Sequence, residues 1–313
     1  MRLSIVTINF NNAEGLRKTL ASVATQTYRD IEHIIIDGGS TDGSVDAIKE
    51  YVSANPNRDP FFKHTINWVS EKDNGIYNAM NKGIEIALGR RIVNPFNRSE
   101  QSGAENKVLP DYIQILNSGD ILAASDVTEW MIKAVEEVEY PGIMYGNMLR
   151  DYGNDKLSKD ICLGDRVNSR DSRAQEVEWT MDDFIKGTVN HDPTYIRADL
   201  YQKYGLYDEN LKIVSDWKWF VNAVVFGGEK LYYVPIDVTI FDTTGISETN
   251  LADREAERRS ELEKMLPAAI LKDYDRYHFP IEQHKRLKKH HMWGLVYFIE
   301  RVFFKLEKWH ILK

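Results

Sequence analysis

Three aspartates follow apolar stretches of the sequence closely enough to suggest shared chemistry. Asp37 directly follows the three isoleucines of IIIDGGSTDGS, Asp73 comes two residues after INWVSE, and Asp120 ends YIQILNSGD. Carboxylates in such places bind divalent cations, accept hydrogen bonds from ligand N–H groups or act as general bases. The alternative for each is a local role, because aspartate often caps the turn after a strand.

The elements around these aspartates predict that the three side chains meet. Apolar β-branched stretches alternate with segments whose apolar residues recur at helical spacing. We expect strands over 2–10, 31–37, 66–71 and 112–120, and helices over 15–26, 44–54 and 75–89. This alternation predicts an α/β fold with a mainly parallel sheet flanked by helices. Parallel strands bring their carboxyl ends to one ligand-binding edge, so the aspartates should converge there.

The composition is that of an ordinary globular protein. The 313 residues are 42% hydrophobic and 28% charged, which suits one large α/β domain with an appendage. The single cysteine, Cys162, excludes an intramolecular disulfide and suits a reducing compartment. No secretory signal precedes the first strand, and no run reaches the roughly 18 apolar residues that span a bilayer. These features favour a cytoplasmic location.

The net charge of −8 is unevenly distributed. Residues 285–313 contain eight Lys/Arg and two Glu, a net charge of +6, so the other 284 residues carry −14. A nucleic-acid-binding protein would carry its basic patch on the folded body, so this distribution argues against nucleic acid as a partner. It leaves open a basic tail that meets an anionic membrane surface.

Five ordered motifs resemble those of family-2 glycosyltransferases with the GT-A fold, of the type that builds bacterial surface polysaccharides and glycolipids. They are SIVTINFNN, IEHIIIDGGSTDGS, SEKDNGIYNAMNKGI, ILNSGD and NHDPTYIRADLYQKYGLYDENLKIVSDWKWF. The resemblance implies a Rossmann-like GT-A catalytic domain over 1–250, with a nucleotide-binding half 1–122, an acceptor-binding half 123–250 and a C-terminal helical tail 251–313. It also implies an inverting transferase that uses a nucleotide-diphosphate sugar, in the first instance a UDP-sugar, together with Mn²⁺ or Mg²⁺.

The resemblance also implies a set of donor-binding residues. These are Thr7, Asn9, Asn11, Asp37, Asp73, Lys82, Asn117 and Asp120. Asp37 would accept a hydrogen bond from a uracil or guanine N–H, beside Thr7 and Asn9 at the end of the first strand. The helix that begins near Gly75 would direct its N-terminal dipole at the diphosphate.

Asp120 and His191 are the metal ligands that the resemblance implies. LNSGD occupies the place of the family's Asp-x-Asp motif, but Asn117 and Gly119 stand where carboxylates often stand. A site with fewer carboxylates should hold a metal weakly until the nucleotide adds its own oxygens. The alternatives are a turn residue for Asp120 and a structural histidine for His191.

Asp216, in VSDWKWF, is the implied catalytic base. Inversion needs one carboxylate that takes the proton of the acceptor hydroxyl as its oxygen attacks the sugar. A helix N-cap is the alternative for Asp216. Asp192, in VNHDP, is a candidate for contact with the acceptor.

Two further segments are expected to be loops. Residues 90–111 are polar and broken by proline and glycine, which predicts a surface insertion, with a partner-binding loop as the alternative. Residues 241–250 resemble the loop that closes over the nucleotide, with Gly245 as its hinge and Ser247 or Thr249 on phosphate. An ordinary connection into the last helices is the alternative there.

The tail contains a charged helix over 251–266 and a different segment over 284–313. The second segment has one apolar stripe at helical spacing, widened by aromatic residues: Leu295, Ile299, Val302 and Leu306, with Trp293, Tyr297, Phe304 and Trp309. Basic residues beside a broad aromatic face suit a helix at a membrane surface, where a lipid-linked acceptor would reside. Packing in a homodimer or against the catalytic domain is the alternative.

The sequence therefore predicts a hexosyltransferase that acts on a glycan or lipid-linked glycan acceptor in cell-envelope polysaccharide synthesis, at the inner face of the cytoplasmic membrane. The alternative is a catalytically degenerate protein that binds nucleotide sugar or scaffolds the assembly, for which Gly119 is the only support. A nucleotidyltransferase would need a basic Gly-rich loop after the first strand. NFNNAEG contains no Lys or Arg, and the first is Arg17.

Overall fold

The structure is a computed structural model, and it describes residues 1–54, 64–91, 109–152, 157–160, 173–243, 250–277 and 293–308. The predictions for most of the 90–111 insertion, for Cys162, for Trp309 and for Gly245, Ser247 and Thr249 lie outside the described residues. The chain separates into two compact units, Met1–Arg254 and Glu255–Lys313.

The described helices and strands have the following bounds. The strands are β1 Leu3–Asn9, β2 Ile31–Asp37, β3 Thr65–Ser70, β4 Tyr112–Ile115, β5 Ile121–Leu122, β6 Ile143–Asp151, β7 Leu157–Asp160, β8 Gln175–Val177, β9 Thr194–Arg197 and β10 Leu231–Asp242. The helices are α1 Ala13–Ala24, α2 Ser44–Ala54, α3 Ile76–Ala87, α4 Val127–Glu137, α5 Met181–Lys186, α6 Leu200–Lys203, α7 Ser215–Phe220, α8 Leu251–Met265, α9 268–277 and α10 Trp293–Lys308. A π-helical turn, Val221–Phe226, continues α7.

Within the described residues these strands form one ten-stranded sheet in the order β3-β2-β1-β4-β9-β6-β10-β5, with β7 beside β6 and β8 beside β10. β1 pairs in parallel with β2 and β4, β2 with β3, and β6 with β10. β9 runs antiparallel between β4 and β6. The predicted α/β class with a mainly parallel sheet flanked by helices is confirmed.

The central strands are buried along their whole length, which explains their long apolar runs. The few polar side chains inside them are paired with one another. Glu32 accepts hydrogen bonds from Ser4 and Asn67, both at 2.8 Å, and so links β1, β2 and β3. His33 contacts the Thr7 hydroxyl at 3.0 Å, and burial lowers the pKa of His33 to about 3, so the imidazole is neutral.

Helix α3 approaches the sheet closely because Gly83 has no side chain. A Cβ on Gly83 would lie 2.2 Å from Cγ1 of Val6 in β1, so any other residue would push the helix outward. Asn81, two residues earlier in the same helix, exchanges two hydrogen bonds with the backbone of Tyr207, at 2.8 and 3.0 Å. Helix α3 therefore connects the first half of the sheet to the segment that leads into α7.

The pairing directions bring the carboxyl ends of β1, β2, β3, β4 and β10 to one edge of the sheet, and β9 begins there because it runs the opposite way. Two expectations near this edge were wrong. β4 ends at Ile115, before a tight turn over 117–120, so the strand is shorter than predicted. Asp216 is not the N-cap of its helix, the alternative role given for it, but lies in the first turn of α7, whose N-cap is Val214.

The second unit consists of most of α8 together with α9 and α10. Arg259 of α8 donates two hydrogen bonds to the carboxylate of Asp275 in α9, at 2.8 and 2.9 Å, which holds these two helices together. None of the helices that the structure describes is long and apolar enough to cross a membrane.

Candidate functional site

At the end of β2, Asp37 is completely buried and its carboxylate is fully hydrogen-bonded. It accepts from Asn9 Nδ2 (2.8 Å), from the amide and hydroxyl of Ser40 (3.0 and 2.5 Å) and from the Ser70 hydroxyl (2.7 Å). Burial raises the pKa of Asp37, but the bonds from Ser40, Ser70 and Asn9 outweigh it, and the net shift is downward. We call these four residues the Asp37 hub. The hub joins the ends of β1, β2 and β3. Holding the turn after the strand in this way is the local role that was given as the alternative for Asp37.

The other residues predicted at the start of the donor site differ in accessibility. Thr7 has no exposed surface, and its hydroxyl is used by His33 within the sheet, so the geometry gives it no ligand contact. Asn9 has a buried Oδ1 that lacks a hydrogen-bond partner. Asn11 is exposed, has a φ of 47°, and accepts a hydrogen bond from the Thr41 amide at 2.9 Å. Asn9 and Asn11 therefore lie at the edge, whereas Thr7 lies below it.

An exposed aromatic ring that the sequence analysis missed lies beside this hub. Phe10, directly after β1, is 64% exposed. A Cβ on Gly38 would lie 2.5 Å from Asp73 Oδ2 and 3.1 Å from Phe10 Cδ2, so glycine keeps these groups together. The ring offers a stacking face and Asp73 offers an acceptor, the two features that a nucleobase needs. The available signal was a large aromatic residue at the carboxyl end of a strand.

Lys82, which is predicted for the donor site, lies in an ion pair. Its Nζ is 2.9 Å from Glu71 Oε1 and donates to the Lys72 carbonyl at 3.1 Å. Glu71 also accepts from Arg91 at 2.5 Å. The hydrogen bond from Lys82 is the main reason that the pKa of Glu71 is lowered, with Arg91 adding to the effect and burial opposing it. This network fixes the segment that follows β3.

The backbone geometry at position 119, and a carboxylate that is distant in sequence but close in space, explain why this residue is glycine. Its φ of 107° is unfavourable for other residues. A Cβ there would lie 2.9 Å from Oδ2 of Asp242, at the end of β10. The Asp242 amide in turn donates to Asp120 Oδ1 at 2.8 Å. A carboxylate from β10 therefore occupies the space that a side chain at position 119 would need.

Asp120 also contacts Asp192, which precedes β9. We call Asp120, Asp192 and Asp242 the Asp120 cluster. Burial raises the pKa of Asp120 well above its usual range, and the charge of Asp192 and a hydrogen bond with it raise this pKa further. Asp192 is 2% exposed, and its Oδ1 lies 3.3 Å from His191 Nε2. Gln114 of β4 fixes the turn by donating to the Asp192 carbonyl at 2.6 Å. Two carboxylates in contact need a proton or a cation between them.

His191 connects this cluster to Asp216. His191 Nδ1 is 3.1 Å from Asp216 Oδ2, and His191 Nε2 is 3.3 Å from Asp192 Oδ1. The Tyr77 hydroxyl of α3 shares its proton between the other Asp216 oxygen, at 3.0 Å, and the Ile213 carbonyl, at 2.6 Å. On the far side of the ring, Asn117 lies 3.0 Å from Nε2. The structure thus brings Asn117, His191, Asp192 and Asp216 together.

The protonation states in this group follow from its charges. Burial lowers the pKa of His191, but Asp192 and Asp216 outweigh it and raise this pKa to about 9, so the ring is an imidazolium at neutral pH. Burial raises the pKa of Asp216, but hydrogen bonds from His191 and Tyr77 and the charge of His191 give a net downward shift. An imidazolium donates from both nitrogens. The Asn117 atom that faces Nε2 is Nδ2, which is also a donor. Rotating the Asn117 amide by 180° would instead bring Oδ1, which is buried and has no hydrogen-bond partner, to Nε2.

The Asp120 cluster fits a divalent metal that is only partly held by protein. Among the residues that the structure describes, no group of three His, Cys, Asp or Glu side chains is arranged to hold a metal ion. The buried contact between the carboxylates of Asp120 and Asp192 nevertheless provides hard oxygen ligands of the kind that Mg²⁺ or Mn²⁺ prefers. The other ligands would then have to come from a bound diphosphate.

The sequence of this chain is similar to those of known glycosyltransferases. The family model described as glycosyl transferase family 2 matches residues 4–94. An uncharacterized glycosyltransferase of Mycobacterium tuberculosis is 31% identical over 251 residues, 78% of this chain and 76% of that protein. A PGL/p-HBAD biosynthesis glycosyltransferase of Mycobacterium bovis is 22% identical over 256 residues, 82% of each chain.

Among solved structures, the fold is similar to that of S. aureus TarS 1-349 in complex with UDP-GlcNAc. The TM-score is 0.54 at 13% identity, over 80% of this chain and 61% of that chain. The same fragment in complex with UDP gives a TM-score of 0.56 at 14% identity, over 90% of this chain and 72% of that chain.

Proposed function

The chain belongs to glycosyl transferase family 2 and is a glycosyltransferase, and from this premise we propose that it transfers one sugar, with inversion, from a nucleotide-diphosphate sugar to a glycan or lipid-linked glycan. The observation that carries this proposal is the placement of Asp216. Its carboxylate is ionised and held by Tyr77 and His191, beside the buried pair of Asp120 and Asp192.

Asp216 is proposed as the general base. Its lowered pKa keeps it ionised at neutral pH, and two hydrogen-bond donors fix its orientation. As the acceptor oxygen forms its bond to the anomeric carbon, the bond from that carbon to the diphosphate breaks and the hydroxyl proton passes to Asp216. A base held within hydrogen-bonding reach of the hydroxyl contributes about 10² to 10⁴ in rate.

Phe10, Asn9, Asn11 and Asp73 are proposed as the donor-binding group. The exposed ring of Phe10 supports stacking of a nucleobase, with Asp73 as an acceptor for its N–H groups. Asn9 supplies a buried amide oxygen that still lacks a partner. A UDP-sugar is the proposed donor, because the similarly folded TarS fragment has been crystallised with UDP-GlcNAc.

Asp120 and Asp192 are proposed as the residues that would hold Mn²⁺ or Mg²⁺. When bound there, the metal supplies charge stabilisation to the diphosphate leaving group. His191 was predicted as a further metal ligand, and this stays a prediction. In the structure its ring connects Asp216 and Asp192, and its positive charge offsets both carboxylates.

The proposed acceptor belongs to surface polysaccharide or glycolipid assembly in the cell envelope, on the cytoplasmic side of the membrane. Support comes from the M. bovis relative, which is named for PGL/p-HBAD biosynthesis. A scaffold function was the alternative. The ionised and oriented Asp216 favours an active enzyme, because a scaffold needs no base.

The test is a donor screen that measures released nucleotide. The full chain is incubated with UDP-, GDP- and dTDP-sugars and Mn²⁺ or Mg²⁺. We expect slow hydrolysis of one donor and its loss in Asp120→Ala. Asp208→Ala is the matched control, since Asp208 lies outside the Asp120 cluster and pairs with Lys218 at 2.8 Å. A donor that binds by calorimetry and is never turned over, even with membrane extract as acceptor, would establish the scaffold alternative instead.

A further inference from the structure

Helix α10 carries large apolar side chains that are exposed in the described structure. Leu295 is 56% exposed, Phe298 65% and Phe303 53%. Ile299 and Val302 are exposed as well. Water-soluble proteins rarely leave so large a contiguous apolar surface uncovered, and such patches mark interaction sites.

Six apolar residues of α10 form one side of the helix, whereas Tyr297 and Phe304, which were predicted to widen this stripe, lie on the opposite side. With about 3.6 residues per turn, one continuous arc contains Leu295, Val296, Phe298, Ile299, Val302 and Phe303. The opposite side contains Tyr297, Arg301 and Phe304, and the Arg301 guanidinium lies 5.9 Å from the centre of the Tyr297 ring. An apolar arc with a basic side chain on the opposite side is a feature of helices that lie in the plane of a lipid–water interface.

Charge favours lipid over a second copy of the chain as the partner. Residues 285–313 carry a net charge of +6, and the other residues carry −14. An anionic bilayer attracts the tail by roughly 1 kcal/mol for each basic residue near its surface. Two tails packed against each other would instead bring two charges of +6 together, and that repulsion disfavours a dimer through this surface.

We propose that α10 binds the surface of an anionic lipid bilayer, with its apolar arc among the acyl chains and Arg301 at the level of the headgroup phosphates. This attachment does not depend on the proposed transfer reaction, and it would hold the chain at the surface where a lipid-linked acceptor resides. The partner is defined by two chemical features, an apolar interior and a negatively charged surface.

The test is flotation of the full chain with vesicles. Vesicles of phosphatidylcholine alone are compared with vesicles that also contain phosphatidylglycerol, at low and high salt. The variant Phe298→Ser/Phe303→Ser removes two rings from the apolar arc. The matched control Tyr297→Ser/Phe304→Ser removes two rings of similar exposure, 54% and 68%, from the opposite side. Circular dichroism checks that both variants retain their helix content.

We expect the wild-type chain to float with phosphatidylglycerol vesicles and to dissociate at high salt. Each buried ring is worth roughly tenfold in partitioning, so the apolar-arc variant should bind about 100-fold more weakly, and the control should change much less. The proposal is overturned if the wild-type chain ignores anionic vesicles, binds neutral ones equally, or loses the same affinity in both variants. Light scattering that shows a dimer, lost only in the apolar-arc variant and without lipid binding, would assign this surface to a second copy.

Because no substrate is present in the flotation experiment, its result is independent of the donor screen. Failure of lipid binding with a donor still hydrolysed would leave the enzyme assignment intact. Lipid binding without donor hydrolysis would keep the membrane attachment and contradict only the proposed transfer.

Discussion

Asp37 and Asp120 occupy comparable places in the fold but opposite electrostatic surroundings. Both lie at the same edge of the sheet, and both are buried. Asp37 is surrounded by hydrogen-bond donors, which hold its pKa below the usual value. Asp120 contacts a second carboxylate, Asp192, and its pKa is raised. The pKa values of the two aspartates shift in opposite directions because different groups surround them.

This contrast separates a carboxylate that is fully hydrogen-bonded from one that contacts a like group. Donors of the protein satisfy the Asp37 carboxylate. In the Asp120 cluster the buried carboxylates of Asp120 and Asp192 contact each other. Strongly perturbed carboxylates in such surroundings are candidates for ligand binding or catalysis. Catalysis should therefore depend on the Asp120 side of the edge, whereas the Asp37 side should contribute stability and, through Asn9, Phe10 and Asp73, donor binding.

The largest expected effect is that of Asp216→Asn. The amide cannot take the acceptor proton, so kcat for transfer should fall about 10³-fold, equivalent to about 4 kcal/mol. Steady-state kinetics measures the loss, and calorimetry should show donor affinity within about twofold of wild type, a difference of roughly 0.4 kcal/mol. An Asp216→Asn enzyme that retains wild-type kcat would remove the base assignment.

Asp37→Asn should have the next largest effect, and on stability rather than chemistry. The new amide would place its N–H₂ against donors of Asn9, Ser40 or Ser70, which now bond to oxygen. We expect a loss of about 3 kcal/mol in the free energy of unfolding, measured by urea denaturation. A loss no larger than that of Asp42→Asn, an exposed aspartate that also caps a turn, would contradict the hub.

Lowering the pH should reversibly remove the stabilising contribution of the Asp37 hub. The folded pKa of Asp37 is lower than its unfolded value, so its stabilising contribution is fully present above the unfolded pKa of about 3.9. That contribution is lost as the pH falls through the folded pKa. Urea titrations at decreasing pH should therefore show a steeper loss for wild type than for Asp37→Asn. Parallel curves would show that Asp37 has no such role.

Tyr77→Phe should have a smaller effect, on both chemistry and stability. It removes the hydroxyl that donates to Asp216, so we expect kcat to fall about fivefold, equivalent to about 1 kcal/mol. Tyr51→Phe is the matched control, because the Tyr51 hydroxyl bonds to His33 at 3.0 Å, away from the edge. The control should lose similar stability and keep its activity. Equal activity of both variants would show that Tyr77 does not orient the base.

The smallest expected effect on stability is that of Asp120→Asn. The amide keeps an oxygen for the Asp242 N–H and offers its own N–H to Asp192, which removes the contact between like charges. In the presence of a chelator we expect a change in unfolding free energy of less than about 1 kcal/mol in either direction. A loss as large as that of Asp37→Asn would remove the distinction between the two aspartates.

The local sequence pattern was sufficient to predict the main strands and helices and the family. The alternation of apolar strands and amphipathic helices predicted the sheet, and β2 and α2 have the predicted bounds. The motifs around Asp37, Asp120 and Asp216 carried the resemblance to glycosyl transferase family 2, which the comparisons confirm. Motif residues are close together in sequence, so their types and spacing can be read without the fold.

The sequence by itself thus determined the α/β class, the family and the edge at which its chemistry should take place. Only the tertiary structure decided which side chains meet there. It paired Lys82 with Glu71, left Phe10 exposed, and brought Asp242 to Asp120 across 122 residues of sequence. The physical reason is that a pKa depends on neighbours in space. An aspartate at a strand end has the same local pattern whether donors or carboxylates surround it.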